Sequence, residues 1–299
     1  MIKHNNMYLL MKLMILVLFA TTATAGEHGR KHTMKKGILL VTFGTTRPEA
    51  QSAFSNIEKM VKAAYPGIPV RWAYTSEVVR KKLAKGGVYL DSPEVALAKM
   101  MDEGFTHVAV QSLHTIAGKE FHDLVKNARA FAHMNGGFES VLVGYPLLGK
   151  EEDLTRVVEA IIKIIPNDRK KHEAVLLMGH GSTHMSGSVY AAVMFFLQMK
   201  DPNIFVSTVN GSPPIEDIKK MLLQKNIKKA YLMPFMSVAG VHAQNDMAGD
   251  EKDSWKSILT KAGIKCIPIL KGTAEYDEIA TIWIDHLGEL LARFEKDLK

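Results

Sequence analysis

A chain of 299 residues, 47% hydrophobic and 23% charged, holds enough apolar material for one large domain or for two lobes of about 100–150 residues. Its formal net charge of +7 carries no Lys/Arg cluster, which excludes a nucleic-acid-binding surface of the usual kind and suits an acidic small molecule. The single cysteine, Cys266, excludes an internal disulfide and any metal centre built from several thiolates.

The N-terminus reads as a targeting segment. Lys3 and Lys12 form a positive region, Leu13 to Ala20 is an unbroken apolar run, and Ala23-Thr24-Ala25 places small residues where a signal peptidase reads them. This order predicts a cleaved signal peptide over residues 1–25 and a protein exported to the periplasm. A start at Met34, directly before the first strand, is the competing reading. The run is far short of the ~20 residues that cross a bilayer, and no later segment is long and apolar enough, so no membrane span is expected. Loss of Lys3 and Lys12 with the leader lowers the formal charge from +7 to +5.

From Lys36 onward one grammar repeats. Lys36 to Phe43 is a buried strand ended by Gly44; Thr46 is the expected N-cap of a helix opened by Arg47-Pro48-Glu49 and running to about Ala64. Further strands are predicted near 68–74, 106–112, 139–144, 174–179, 203–209, 229–234 and 265–270. Helices are predicted near 92–104, 118–134, 150–165, 186–199, 213–226 and 248–262, with a long amphipathic helix from Ala274 to Phe294. Strands alternating with helices of this length imply βαβ units and parallel sheet, an α/β fold. The halves echo each other: GILLVTFGTT (37–46) matches AVLLMGHGST (174–183), with Phe43 where His180 stands, and THVAVQSLHTIAG (106–118) matches KAYLMPFMSVAG (229–240). Two similar Rossmann-like lobes follow, residues 26–145 and 146–271, with residues 272–299 packing back on them. Ligands of open parallel sheets sit beyond the carboxyl ends of the strands, so the GTT, GST, SLHTIAG and MSVAG turns should converge on one cleft.

Three stretches of the second lobe carry chemistry: Gly179-His180-Gly181-Ser182, Asn210-Gly211-Ser212-Pro213 and Gly240-Val241-His242-Ala243. Histidines at two equivalent strand ends can bring two imidazoles to one ion, and neutral imidazole suits Co, Ni, Zn and Fe. A loop histidine between glycines is also a common surface hydrogen-bonding group, and that reading stays open for each taken alone. His28 and His32 lie in a polar N-terminal arm. His122 is read as a surface histidine, with haem or a second metal as the alternative, and His184 is set aside because Gly181 and Ser182 argue against a helix joining it to His180.

The segments MGHGSTH (178–184), SVAGVHAQNDMAGDEKDSW (237–255) and VTFGTTRPEA (41–50) resemble the anaerobic-type sirohydrochlorin cobaltochelatases, class II chelatases to which bacterial ferrochelatases are distantly similar. The resemblance covers the chain from about Lys35. It implies two lobes with a tetrapyrrole in the cleft, a metal on His180 and His242, and ATP-independent insertion of Co2+ into sirohydrochlorin, with Fe2+ or Ni2+ as other metals. The family places a Glu where this chain has Asn210, which offers a carbonyl oxygen without charge; Glu120 is a candidate replacement, against its reading as a solvated helix-terminal residue. Sirohydrochlorin is a polycarboxylate, so Thr45, Thr46, Arg47, Ser182 and Thr183 at two turns are expected to donate to it, with His114 facing the cleft. Arg80, Lys81 and Lys82 are read as a solvated basic face. A periplasmic tetrapyrrole or metal carrier on the same fold and an Fe2+ chelatase for sirohaem or haem are the alternatives, and a homo-oligomer is compatible with either.

Overall fold

The structure, a computed structural model, describes residues 33–296; the leader-like segment, His28 and His32 lie outside the described residues. Strands β1 (Lys36–Thr42), β2 (Val70–Tyr74), β3 (His107–Ser112) and β4 (Ser140–Gly144) form one sheet in the order β2-β1-β3-β4. Strands β5 (Ala174–Gly181), β6 (Ile204–Asn210), β7 (Lys229–Pro234) and β8 (Lys265–Pro268) form a second in the equivalent order β6-β5-β7-β8. Every pairing is parallel. The predicted strands and the internal repeat therefore fold as two copies of one α/β lobe.

The apolar runs follow from burial on both faces of each sheet. Ile38 and Leu40 point to one face of β1, Leu39 and Val41 to the other, the period of two that a strand imposes. Leu39 and Val41 meet α3 (Pro93–Asp102) and α4 (Lys119–Ala132) through Leu97, Met100 and Leu124. In the second lobe Leu176 and Met178 meet α7 (Ile215–Gln224) and α8 (Trp255–Lys261) through Ile218, Leu222 and Trp255. The other faces, Ile38 and Leu40 with Val175 and Leu177, share a single core with α1 (Gln51–Ala64), α5 (Glu151–Ile164), α6 (Val189–Lys200) and α9 (Asp277–Lys296). That common core makes the lobes one body.

Helix α9 leaves the second lobe and packs on α1, β3 and β4 of the first lobe and on α5, burying Trp283, Leu287, Leu290 and Phe294. One polar pair lies in this seam. His286 and Asp153 are each 1% exposed, and His286 Nε2 lies 2.9 Å from Asp153 Oδ1 while its Nδ1 lies 3.1 Å from the Tyr145 carbonyl oxygen. Both ring nitrogens are thus engaged, which fixes the orientation of the ring in the seam.

Three local expectations are corrected. The first helix is entered through a short 3-10 turn, Pro48–Ala50, whose N-cap position is Arg47 without a side-chain cap bond, not Thr46; Thr45 Oγ1 accepts from Arg47 N at 3.1 Å just ahead of it. Arg80, Lys81 and Lys82, read as a solvated basic face, lie on a helix outside the predicted set, α2 (Glu77–Lys85), capped by Ser76 Oγ accepting from Val79 N. The helix expected from 248 begins at Trp255 behind Ser254, because His242–Met247 forms a π-helical turn of its own.

Candidate active site

Four turns at the carboxyl ends of β1, β3, β5 and β7 enclose one cleft of about 750 Å³, within the size range of small-molecule pockets. The lobes meet there with pseudo-twofold logic. A Cβ on Gly240, in the turn after β7, would stand 3.4 Å from Thr45 Oγ1 after β1; one on Gly118, after β3, would stand 3.9 Å from Ser182 Oγ after β5. Each turn of the first lobe thus faces the non-equivalent turn of the second.

His180 projects from the last turn of β5 because its neighbours leave no alternative. Gly181 has φ +79, and a Cβ on it would lie 1.7 Å from the Asn210 carbonyl oxygen, so only glycine permits the turn. Beneath it the buried hydroxyl of Tyr190 is hydrogen-bonded by the backbone of Gly181 and His180, and burial pushes the phenol well above its ordinary pKa. A Cβ on Gly179 would lie 2.5 Å from the same ring. Tyr190 is thus a platform under the histidine.

The two histidines are brought together and their tautomers are set by their partners. His180 Nδ1 lies 3.2 Å from the Gly181 carbonyl oxygen, and His242 Nδ1 lies 2.5 Å from Asp246 Oδ2, one turn further along the π-helical segment. A carbonyl and a carboxylate only accept, so in each neutral ring Nδ1 carries the hydrogen and Nε2 keeps its lone pair. The ring centroids are 5.0 Å apart, with planes at 73°. Bound through one nitrogen at ~2.1 Å, an imidazole places its centroid ~3.2 Å from the ion, so two ligands at a tetrahedral angle have centroids ~5.2 Å apart. The observed separation is close to that value.

Opposite them the first lobe supplies an apolar wall and a carboxylate. Phe43, at the position equivalent to His180, has its ring centroid 6.3 Å from the His180 ring and is 41% exposed; Val78 of the first lobe, and Val241 beside His242 in the second, are also exposed along the cleft. Glu120 Oε2 lies 3.0 Å from His114 Nε2 and accepts from Thr75 Oγ1 at 3.2 Å. Burial works against ionisation of Glu120, yet the bonds from His114 and Thr75 and the nearby His180 hold its carboxyl below the usual range. His114 Nδ1 lies 2.8 Å from Ser112 Oγ, so both its nitrogens have partners within the protein.

Residues 36–292 match the family described as cobalt chelatase (CbiK). The chain belongs to that family. It is 44% identical over 253 residues, 85% of this chain and 89% of the relative, to the sirohydrochlorin cobaltochelatase CbiKC of Nitratidesulfovibrio vulgaris (strain Hildenborough). It is 32% identical over 260 residues, 86% of this chain and 97% of the relative, to the sirohydrochlorin cobaltochelatase of Salmonella typhimurium. Among solved structures it resembles SirB from Bacillus subtilis with Fe3+ (TM-score 0.57, 17% identity, 88% of this chain and 98% of that one). It also resembles CbiX, described as the terminal enzyme for biosynthesis of sirohaem in denitrifying bacteria (TM-score 0.53, 13% identity, 85% and 98%). At these identities the structures speak for the shared chelatase fold.

Within this cobalt chelatase fold, Thr45, Thr46, His114, Ser182, Thr183 and Asn210 line the cleft with His180 and His242. Asn210 pairs in register with Gly181, beside the His180 turn. Arg47 does not line it: its guanidinium reaches Asn245 Oδ1 at 3.3 Å and ties the first lobe to the π-helical turn. Cys266 lies on β8, away from the cleft, with its thiol pushed up to about 11 by burial. Three cleft residues departed from their reading or escaped it. Glu120 faces His114 and not bulk solvent alone, and Lys82 lines the cleft from α2. Lys119, which also lines it, stands beside Glu120 at the start of α4 and pairs with Asp123 at 2.5 Å. The signals were Ser76 as a cap before Glu77, and the helix opening directly after Gly118. Among the described residues no helix is long and apolar enough to cross a membrane.

Proposed function

We propose that this chelatase inserts Co2+ into sirohydrochlorin, with His180 and His242 as the residues that hold the incoming ion. One observation carries the assignment of the site: two imidazoles from the turns after the adjacent strands β5 and β7, their ring centroids 5.0 Å apart, each with Nδ1 hydrogen-bonded away so that Nε2 is available. The names of the Nitratidesulfovibrio and Salmonella relatives supply the substrate and the metal.

The ion binds Nε2 of both rings and the macrocycle enters against Phe43, Val78 and Val241. The substrate's carboxylates meet Lys82, Lys119, Thr46 and Thr183 at the walls. As each Co–Nε2 bond gives way to a Co–pyrrole bond, the lone pair released on the imidazole accepts the pyrrole proton. Two rings thus release one ion and take two protons, which balances the reaction. Imidazole releases a borderline ion more readily than thiolate and is the side chain best suited to this exchange near neutral pH. The Glu120 carboxylate faces the imidazolium that forms on His180 and supplies the negative charge that Asn210 lacks. No nucleotide takes part in the proposed reaction. Export to the periplasm belongs to the same proposal, supported by the order of charged, apolar and small residues before Gly26.

A carrier reading has its own support in Asn210, whose neutral side chain weakens the site. Turnover separates the two. With Co2+ and sirohydrochlorin in excess, the visible spectrum is expected to show many equivalents converted per protein chain, and parallel runs with Fe2+ and Ni2+ rank the metals. Binding of one equivalent, with conversion at the uncatalysed rate, would leave a carrier in its place.

A further inference from the structure

The two cleft histidines are not held alike. His180 Nδ1 meets the carbonyl oxygen of its own neighbour, Gly181, at 3.2 Å, a neutral partner at the long end of the hydrogen-bond range. His242 Nδ1 meets the Asp246 carboxylate at 2.5 Å, a short and charge-assisted bond. Among the described residues no lysine or arginine pairs with Asp246, so its charge is directed at the His242 ring. The π-helical turn that carries both side chains is firmly seated. Ala243 and Met247 anchor it in the core, and Gly249 N closes it by donating to the Asn245 carbonyl oxygen at 3.0 Å. Position 249 admits only glycine there, since a Cβ would lie 2.3 Å from that oxygen. Ser254 Oγ braces the far end by donating to the Gly249 carbonyl at 2.7 Å. The backbone thus delivers the carboxylate to the ring.

We propose that Asp246 is a positioning residue that makes His242 the stronger of the two ligands, so that the ion is captured there and the bond to His180 opens first. A carboxylate on Nδ1–H fixes the ring and raises the electron density that Nε2 offers to an ion; a single carbonyl does less. The ligand exchange then has an order. The Co–Nε2 bond of His180 breaks, a Co–pyrrole bond forms, and the pyrrole proton passes to the freed lone pair of His180. The bond to His242 breaks second, in the same way, and the second proton goes to that ring. The surroundings of His180 suit the first step. Glu120, whose ionisation the nearby His180 favours, faces the first imidazolium to form. The inference rests on the reading of His180 and His242 as the ion's two ligands.

The test is equilibrium titration of the untagged full chain with Co2+, following its visible absorption. Asp246→Asn keeps an acceptor oxygen in place and removes only the charge. It is expected to raise the Kd for Co2+ by about 10–100-fold, the usual cost of losing a partner behind a ligand histidine. The same rise is expected when it is added to His180→Ala, and none when it is added to His242→Ala. His180→Ala alone is expected to bind Co2+ more tightly than His242→Ala alone. In steady state Asp246→Asn should raise the KM for Co2+ by the same factor while kcat changes far less, because the first bond to open is the one to His180. An unchanged Kd in Asp246→Asn, or an equal rise in the His242→Ala background, would overturn the role of Asp246. Equal affinities in the two histidine variants would overturn the order of exchange. Wild-type affinity in both histidine variants is a separate result, which would overturn the two-ligand site itself.

Discussion

Replacing His180 by alanine is expected to lower the rate of Co2+ insertion by about 10²–10⁴-fold, the range over which a single positioned proton acceptor acts. The same loss is expected for His242→Ala, because the proposed exchange needs both rings to share the ion. The double variant should be little worse than either single one, since residues that act as a unit are not additive. His180 is exposed and His242 only partly buried, so neither change should move the unfolding midpoint appreciably. The measurement is initial-rate conversion of sirohydrochlorin at saturating Co2+. Single variants that retain a third or more of the wild-type rate would show that the ion takes another route.

The second large effect concerns stability. Asp153→Ala is expected to destabilise the protein by about 1–3 kcal/mol, the usual consequence of leaving a buried hydrogen-bonding partner unsatisfied. His286 would be left fully buried in the seam between α9 and the first lobe with the Tyr145 carbonyl as its one remaining acceptor there. Arg156, 3.8 Å from Asp153 Oδ1, would lose its contact too, but it keeps Asp285 and is more exposed, so it adds little. Replacing both partners, Asp153→Leu with His286→Leu, should recover a large part of the loss, because no buried polar group is then stranded. Denaturant unfolding of the single and double variants measures both quantities. A single-variant loss below about 1 kcal/mol would mean that the pair is hydrated and not sealed in the seam.

What the sequence disclosed follows the range of the interactions involved. All eight strand regions were legible, because runs such as ILLV at 38–41 and VLLM at 175–178 are buried on both faces and leave a dense local signal. The two lobes were legible as an internal repeat, and the convergence of their turns followed from the strand-end rule. Helix α2 was not, since it buries no residue and presents five charged side chains over Glu77–Lys85, which erases the apolar stripe that marks a helix. Its consequence for the site was equally hidden: Val78 and Lys82 reach the cleft only because that segment is helical. Glu120 looked like a solvated residue because its partners His114 and Thr75 come from separate strand ends. The His286–Asp153 contact spans 133 positions, and no local pattern announces it. By contrast His180 and His242 could be singled out from their glycine-flanked strand ends and from the family segments around them, before any geometry was known.

The central claim is that one ion is shared by His180 and His242 through Nε2. The most direct test is the structure of the protein with Co2+ bound. The account predicts an ion about 2.0–2.1 Å from Nε2 of both rings, with Nδ1 of His242 still on Asp246 and Nδ1 of His180 still on the Gly181 carbonyl. An ion held through Nδ1, or in the cleft but off either histidine, would contradict it.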